Sequence, residues 1–581
     1  MNQEKHSSLF PIKSLKSDVC IVGGGMAGIC AALAAARNGA STVLIQDRPV
    51  LGGNASSEIR MWICGAHGED NKEGGIFEEL LLENVYRNPK MNFFQWDHVL
   101  YGKCLEQANL TVVLNCSVLD LTMKGSKVAS VRGWHLTEQC YYEVTATMFI
   151  DCSGDSVLRA SGADYRTGRE SKTEFGESHA PDVPDKKTMG SSILIQLRQV
   201  DGHIPFIPPP WAYHYTDETV PKRGLFPNGD NFWWLEIGGT RDTIGQADTI
   251  RDELLKIAYG VWAYIKNHPD GRGREWELDW IGSLPGKREN VRYIGDHILT
   301  QNDIEAEGRF DDLVAYGGWP MDDHHPDGIE HPGDPTIFYP TPTPFGIPYR
   351  CLYSRNIDNL FFAGRNISAT HMALSATRVM ATCAIMGQAV GTASALAVRL
   401  NLSPRDIYKS HITQLQEALM EQDSYLPWHT RRIPTLSLEA KLTASAGDPA
   451  ILLNGIERNL NKIDNGWWGD PGSWVQYSWP EPQKANRVRI VFDSDFTDNK
   501  RMLCRYPKKE LVKTLPPMLV KQFQIEVCDV DGRRQIIHDI QDNRRRLLEL
   551  ALPDTPITVC RLIIGQTWGF EKAHVFAFDV R

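Results

Sequence analysis

Four stretches of this chain gather side chains that can move protons or electrons. Met61-Trp-Ile-Cys-Gly-Ala-His67 carries a thiol and an imidazole. Gly317-Gly-Trp-Pro-Met-Asp-Asp-His-His325 places two acids and two imidazoles on a predicted loop. Lys287-Arg-Glu289 with Arg292 forms a charged turn before a strand, and Ala369-Thr-His371 stands just ahead of a long apolar helix. Imidazole transfers protons best near neutral pH, so His371, His67, His324 and His325 are the candidate acid–base residues. Adjacent residues such as His324 and His325 rarely reach one ion together. The sequence has no HExxH and no CxxC, so no metal site is read. Cys64 lacks a partner cysteine within three residues and reads as a packed thiol.

These residues can move protons, whereas moving electrons takes a carrier, and the N-terminal stretch can hold one. Val19-Cys-Ile-Val22 reads as a short buried strand, followed by Gly23, Gly25 and Gly28 in GxGxxG spacing. An alanine-rich helix from about Met26 to Asn38 and a second strand, Thr42 to Ile45, complete the unit. Such glycines allow a tight turn and close backbone approach to a pyrophosphate, which the helix N-terminus attracts. The second strand runs into Gln46, where an acid usually holds ribose hydroxyls, with Asp47 and Arg48 next. A further glycine pair, Gly52-Gly53, leads into Asn54 and Ser56.

The run Leu51-Gly-Gly-Asn-Ala-Ser-Ser-Glu-Ile-Arg60, the segment Phe149-Ile-Asp-Cys-Ser-Gly-Asp155 and the segment Leu360-Phe-Phe-Ala-Gly-Arg-Asn-Ile-Ser368 resemble those of the bacterial FAD-dependent oxidoreductases. That family has a glutathione-reductase-like or succinate-dehydrogenase-like FAD domain. The resemblance runs with interruptions from about Asp18 to Leu400. It implies FAD as cofactor, contacted by Gly23, Gly25, Met26, Ala27 and Gly28, then by Gln46, Asp47, Arg48, Gly52, Gly53, Asn54 and Ser56. Further contacts fall to Val118, to Ser153, Gly154 and Asp155, and to Gly364, Arg365, Ser368, Arg378 and Val379. The helix after Ala376 would aim its N-terminus at the flavin ring, and its dipole would favour negative charge there. The same likeness puts His371 foremost as the base for a substrate hydroxyl, with His67, His324 and His325 as reserves.

The expected fold is α/β: a Rossmann-type FAD-binding domain (16–165 and 340–430), an inserted α+β cap (166–339) and a C-terminal β-sandwich (436–581). In the sandwich, Asn454-Gly455, Asp464 to Trp468 and Ser473 to Tyr477 resemble the galactose-binding-like fold, with dimerisation or capping as the other reading. A chain ending near Thr435 is expected to keep its flavin. The run Arg378 to Leu396 is apolar enough to suggest a membrane span. Arg378, Gln388 and Arg399 argue instead for a buried central helix.

Over 581 residues, 62 basic against 72 acidic side chains leave a net charge of −10, which argues against a nucleic-acid partner. Twelve scattered cysteines suit a reducing compartment, and Met1 to Lys16 lacks a secretory pattern, so the expected location is cytoplasmic. The function these features point to is oxidation of a C–OH group of a carbohydrate-like small molecule by hydride transfer to flavin. A C=C or keto reductase is one alternative, and a carbohydrate-binding protein with a vestigial FAD site is another. The electron acceptor is left open, and a homo-oligomer is compatible with the tail.

Overall fold

The computed structural model describes residues 9–68, 70–227 and 229–581, in two compact units. The first comprises 1–65, 92–415 and 502–511. The second comprises 66–91, 416–501 and 512–581. The region 166–339 falls in the first unit together with 16–65, 92–165 and 340–415, and within 436–581 the residues 502–511 fall in the first unit and the rest in the second.

The first unit is built on a seven-stranded sheet. Its order is Leu110–Val113, Thr42–Ile45, Ile12–Val22, Cys140–Asp151, Lys127–His135 and Cys116–Lys124, and Leu360–Phe362 also pairs with Cys140–Asp151. The strands through the centre are parallel, and where they meet, at Val19–Val22, Thr42–Ile45, Met148–Asp151 and Leu360–Phe362, every side chain is buried. Register decides the function of this sheet. Val22 lies opposite both Ile45 and Asp151, and Asp151 lies opposite Phe362. Four motif turns, beginning at Gly23, Gln46, Cys152 and Ala363, therefore leave the sheet along one carboxyl edge, where open α/β sheets bind ligands.

The helices Met26–Arg37 and Met380–Leu400 cross at small residues. A Cβ on Gly387 would lie 2.1 Å from the Ala27 carbonyl oxygen, and one on Gly391 would lie 2.2 Å from that of Ala31. Met380–Leu400 is long and apolar enough to cross a membrane, but 94% of its apolar window is buried inside the protein. The helix expected from about Ala376 is broken: His371–Thr377 ends at Arg378, and Val379 caps the next helix.

Within the cap, the helix Ala247–Asn267 buries Leu254, Ile257, Val261, Trp262 and Ile265 against Phe232 and Trp234. In the apolar run Phe232 to Ile237 the strand is confined to Glu236–Ile237, because Phe232 has φ +60° and cannot continue an extended run. Ile195–Gln199 pairs with Trp276–Ile281, and Ser191–Ser192 pairs with both Glu236–Ile237 and Gly286–Lys287.

The second unit is a sandwich of a five-stranded and a four-stranded antiparallel sheet, with the helix Gly75–Arg87. The tryptophans of the runs Asp464 to Trp468 and Ser473 to Tyr477 are differently placed. Trp467 is buried, Trp468 stacks on the buried His574 at 4.1 Å, and Trp474 is covered by the Arg561 guanidinium at 4.4 Å.

Candidate functional site

The glycine turn owes its shape to three different demands. Gly23 has φ +104°, and a Cβ there would strike the Cys152 and Ser153 backbone at 2.5 Å. A Cβ on Gly28 would lie 1.8 Å from the Gly23 carbonyl oxygen. At Gly25 no such clash exists: the nearest atom to its Cβ position is the Gly53 Cα at 4.0 Å. Gly23 and Gly28 are required by the fold, whereas Gly25 keeps open a space lined by backbone. Gly52 (φ +109°) closes the other side, its N–H donating to the Gly24 carbonyl at 2.8 Å. No side chain caps Met26–Arg37, so its first-turn amides are available to a bound phosphate. Met26 and Ala27 are buried in that turn.

Gln46 serves the turn itself. Its Oε1 accepts the Gly24 N–H at 2.6 Å, and its Nε2 donates to the Val50 carbonyl at 3.4 Å. Asp47 is exposed, and Arg48 pairs with Glu58 at 3.2 Å. Val118 is half-buried, opposite Gly133 in the antiparallel part of the sheet. Ser56 Oγ donates to the Gly53 carbonyl, and Asn54 Nδ2 to the Lys287 carbonyl at 3.1 Å.

On the adjoining turn, Asp151 is fully buried and accepts the Ser153 N–H, the Ser153 hydroxyl and the Tyr293 hydroxyl. It therefore fixes the loop that carries Gly154 (φ +72°) and Asp155. Asp155 pairs with Lys287 at 2.6 Å and Arg365 at 3.1 Å. Burial opposes its charge, but those cations prevail and hold its carboxyl below the usual range. Gly364, at φ +120°, turns the chain into Arg365. Ser368 donates to the His297 carbonyl at 2.6 Å.

The stretch Lys287–Glu289 joins this cradle to a second cluster. Glu289 is fully buried, and its carboxylate meets His371 Nδ1 at 2.9 Å, while His371 Nε2 meets Asp323 at 3.0 Å. Burial disfavours an imidazolium here, but the two carboxylates outweigh it and raise the His371 pKa to about 10. The helix His371–Thr377 is anchored at its start: Glu170 accepts the His371 backbone N–H at 2.8 Å, and Glu177 accepts the Thr370 hydroxyl at 2.6 Å.

Asp323 comes from a hairpin, Met321–His324 paired with Thr336–Tyr339. Side chains alternate along a strand, so Asp323 points opposite to Asp322 and His324. On that other face His324 lies between Glu236 at 2.6 Å and Asp322 at 3.3 Å. Asp322 in turn accepts from Arg378 at 3.1 Å, and Glu236 pairs with Arg288 at 3.3 Å. One hairpin thus carries two carboxylate–imidazole–carboxylate sets on opposite faces.

Of the predicted acid–base residues, the structure gathers His371 and His324 at this hairpin. His325 stacks instead on His331 at 3.6 Å, and partial burial together with the His331 charge lowers its pKa. His67 falls in the second unit, largely exposed, where partial burial and the Arg501 charge lower its pKa. Glu170, Glu177 and Glu236 were not legible as site residues. Each is a lone glutamate in an unremarkable segment, and only chain folding supplies its partner.

The parallel sheet, the glycine cradle on its carboxyl edge and the buried acid–base cluster beside it define a dinucleotide-dependent redox protein. The model of the FAD dependent oxidoreductase family matches residues 18–419, and the chain belongs to that family. FAD is accordingly its cofactor. The residues present fit it: Gly25 faces open space, and buried polar atoms on Arg365 (Nε), Asn366 (Oδ1) and Arg378 (Nε) have no protein partner.

Among solved structures the chain is similar to a geranylgeranyl bacteriochlorophyll reductase-like protein from Thermoplasma acidophilum, at 15% identity, covering 71% of this chain and 85% of that one, with a TM-score of 0.32. It is also similar to chitosan-binding module 1 of a chitosanase/glucanase from Paenibacillus sp. IK-5, at 13% identity, covering 25% of this chain and 97% of that one, with a TM-score of 0.18. A family 32 carbohydrate-binding module from Clostridium perfringens, solved with galactose, gives 10% identity, 25% and 94% coverage, and a TM-score of 0.18. At these TM-scores the likenesses do not bear on function.

Proposed function

We propose that the protein oxidises a C–OH group of a carbohydrate-like small molecule, with Asp323 as the residue that meets the substrate hydroxyl. The observation that carries this reading is the gradient of exposure along one set of groups. The Glu289 side chain is 0% exposed, that of His371 is 2% exposed and that of Asp323 is 18% exposed. Only the Asp323 end is open to a ligand.

FAD, when bound, would supply the two-electron acceptor for this oxidation. The protein's part is to receive the hydroxyl proton and to orient the oxygen. His371 is not suited to be the base, because it already holds a proton with both ring nitrogens turned to carboxylates. Its role is to keep Asp323 in place and charged. Burial opposes the Asp323 charge, yet His371 outweighs it and lowers the Asp323 pKa. Carboxylates and imidazoles crowded at one hairpin are hydrogen-bond partners for a polyhydroxylated substrate.

The proton stored on His371 also favours a second reading, reduction of a keto group, in which the same relay donates a proton through Asp323. An anaerobic panel separates the two. Polyols and sugars that bleach the flavin support oxidation. Keto compounds that reoxidise photoreduced flavin while polyols stay inert would reverse the direction.

A further inference from the structure

Residues 502–511 are far in sequence from every flavin motif, yet they belong to the flavin unit. They meet the cap strand Ile195–Gln199 at one parallel bridge, Tyr506 opposite Arg198. The Tyr506 N–H donates to the Leu197 carbonyl at 2.8 Å, and the Gln199 N–H donates to the Tyr506 carbonyl at 2.9 Å. The Arg198 guanidinium lies over the Tyr506 ring at 4.6 Å.

One side chain connects this strand to the cofactor segment. Gln196 donates from Nε2 to the Leu503 carbonyl at 2.9 Å and accepts on Oε1 from Arg60 Nη1 at 2.5 Å. Arg60 ends the run Gly52 to Arg60. Its guanidinium is buried among the rings of Trp280 (4.5 Å), Phe94 (5.3 Å) and Phe93 (5.4 Å). Its backbone is held at φ +60°, a conformation costly for a side chain of this size. Two bonds show what that conformation achieves: the Arg60 N–H donates to the Ser56 carbonyl at 2.8 Å, and the Met61 N–H to the Asn54 carbonyl at 2.9 Å. The loop carrying Asn54 and Ser56 is thereby closed on itself.

We infer that residues 502–511 act as a positioning strap for FAD, holding Gln196 so that it locks Arg60 and with it the loop Gly52 to Ser57. The inference rests on the reading that this loop meets FAD. Gln196 cannot be set by its own strand alone, because an amide this buried needs both its oxygen and its nitrogen satisfied. The strap's Leu503 carbonyl supplies the second partner.

The test uses the full-length apoprotein reconstituted with FAD, measuring the FAD dissociation constant by flavin fluorescence beside thermal melting. Three variants are compared: residues 502–511 replaced by an equal-length Gly/Ser segment, Arg60→Met, and the two combined. The replacement is expected to weaken FAD binding up to about tenfold, the upper end for a neutral hydrogen bond, because a flexible segment no longer holds the carbonyl at position 503 against Gln196. Arg60→Met should do the same, and the combination should be no worse than either alone, since both act through one contact. Unchanged FAD affinity in the replacement with only a lower melting temperature would overturn the strap. So would effects that multiply in the combined variant. Gly53→Val separates the underlying reading: if it binds FAD normally, the loop does not meet the cofactor and the inference falls with it. If it loses FAD while the replacement does not, only the strap falls.

Discussion

At the scale of single residues, three glycines in one motif are required for different reasons, and mutation should separate them. Gly28→Ala places a methyl 1.8 Å from a backbone oxygen and should prevent the turn from forming, visible as loss of soluble folded protein. Gly25→Val meets nothing closer than 4.0 Å at its Cβ, so the protein should fold with its circular dichroism intact yet purify colourless. Retained flavin in that variant would mean the diphosphate lies elsewhere. Asp323→Asn should keep FAD and slow anaerobic flavin reduction by about 10²- to 10⁴-fold, the usual worth of a general base. His371→Ala differs in kind: it removes the imidazole between Glu289 and Asp323, leaving Glu289 with Arg292 at 3.7 Å, and should cost about 3 kcal/mol of stability.

The pH dependence follows from the same site. The His371 pKa rises on folding from about 6.5 to about 10. Its stabilising contribution is therefore complete below pH of about 6.5 and fades as the pH climbs through about 10. Melting temperatures from neutral to alkaline pH should fall more steeply for the wild type than for His371→Gln. Parallel curves would show that the imidazole does not hold its proton so tightly.

At the scale of elements, the crossing of Met26–Arg37 with Met380–Leu400 positions the site. The first helix begins at the phosphate turn, and the second begins at Val379 beside Arg378. Their separation is set by Gly387 and Gly391 against Ala27 and Ala31. Gly391→Val should force the helices apart, costing at least about 1–3 kcal/mol and loosening FAD, which titration of the apoprotein with FAD would register. The composition of this helix was legible as buried rather than membrane-spanning. Its true start was not: the backbone turns extended at Val379 (ψ 143°), next to Arg378, which pairs with Asp322 on a hairpin 56 residues away in sequence.

At the scale of the whole molecule, the chain passes between its two compact units more than once, which bears on where it can be cut. A chain ending at Thr435 loses residues 502–511 from the flavin unit. It also leaves the segment 66–91, with the helix Gly75–Arg87, without most of the unit it belongs to. Such a truncation is expected to emerge insoluble or free of flavin, whereas motif positions alone lead to the expectation that it keeps its flavin. A yellow, soluble product carrying stoichiometric FAD would restore the linear division.

The sequence by itself determined the nucleotide-binding half of this protein. Strand, glycine turn, alanine helix and strand are local patterns, each fixed by backbone sterics and by hydrophobic spacing within about 30 residues. The Gly52-Gly53 pair and the turn at Gly364 were legible for the same reason. What only tertiary structure decided is which charges meet. His371 was visible as an imidazole near the flavin helix, but its proton is set by Glu289 and Asp323, 82 and 48 residues away in sequence. A pKa is a property of surroundings, and no spacing rule brings those surroundings together. The same holds for Arg60 and the strap at Leu503: chain connectivity says nothing about either, because both depend on which strand edge the fold leaves open.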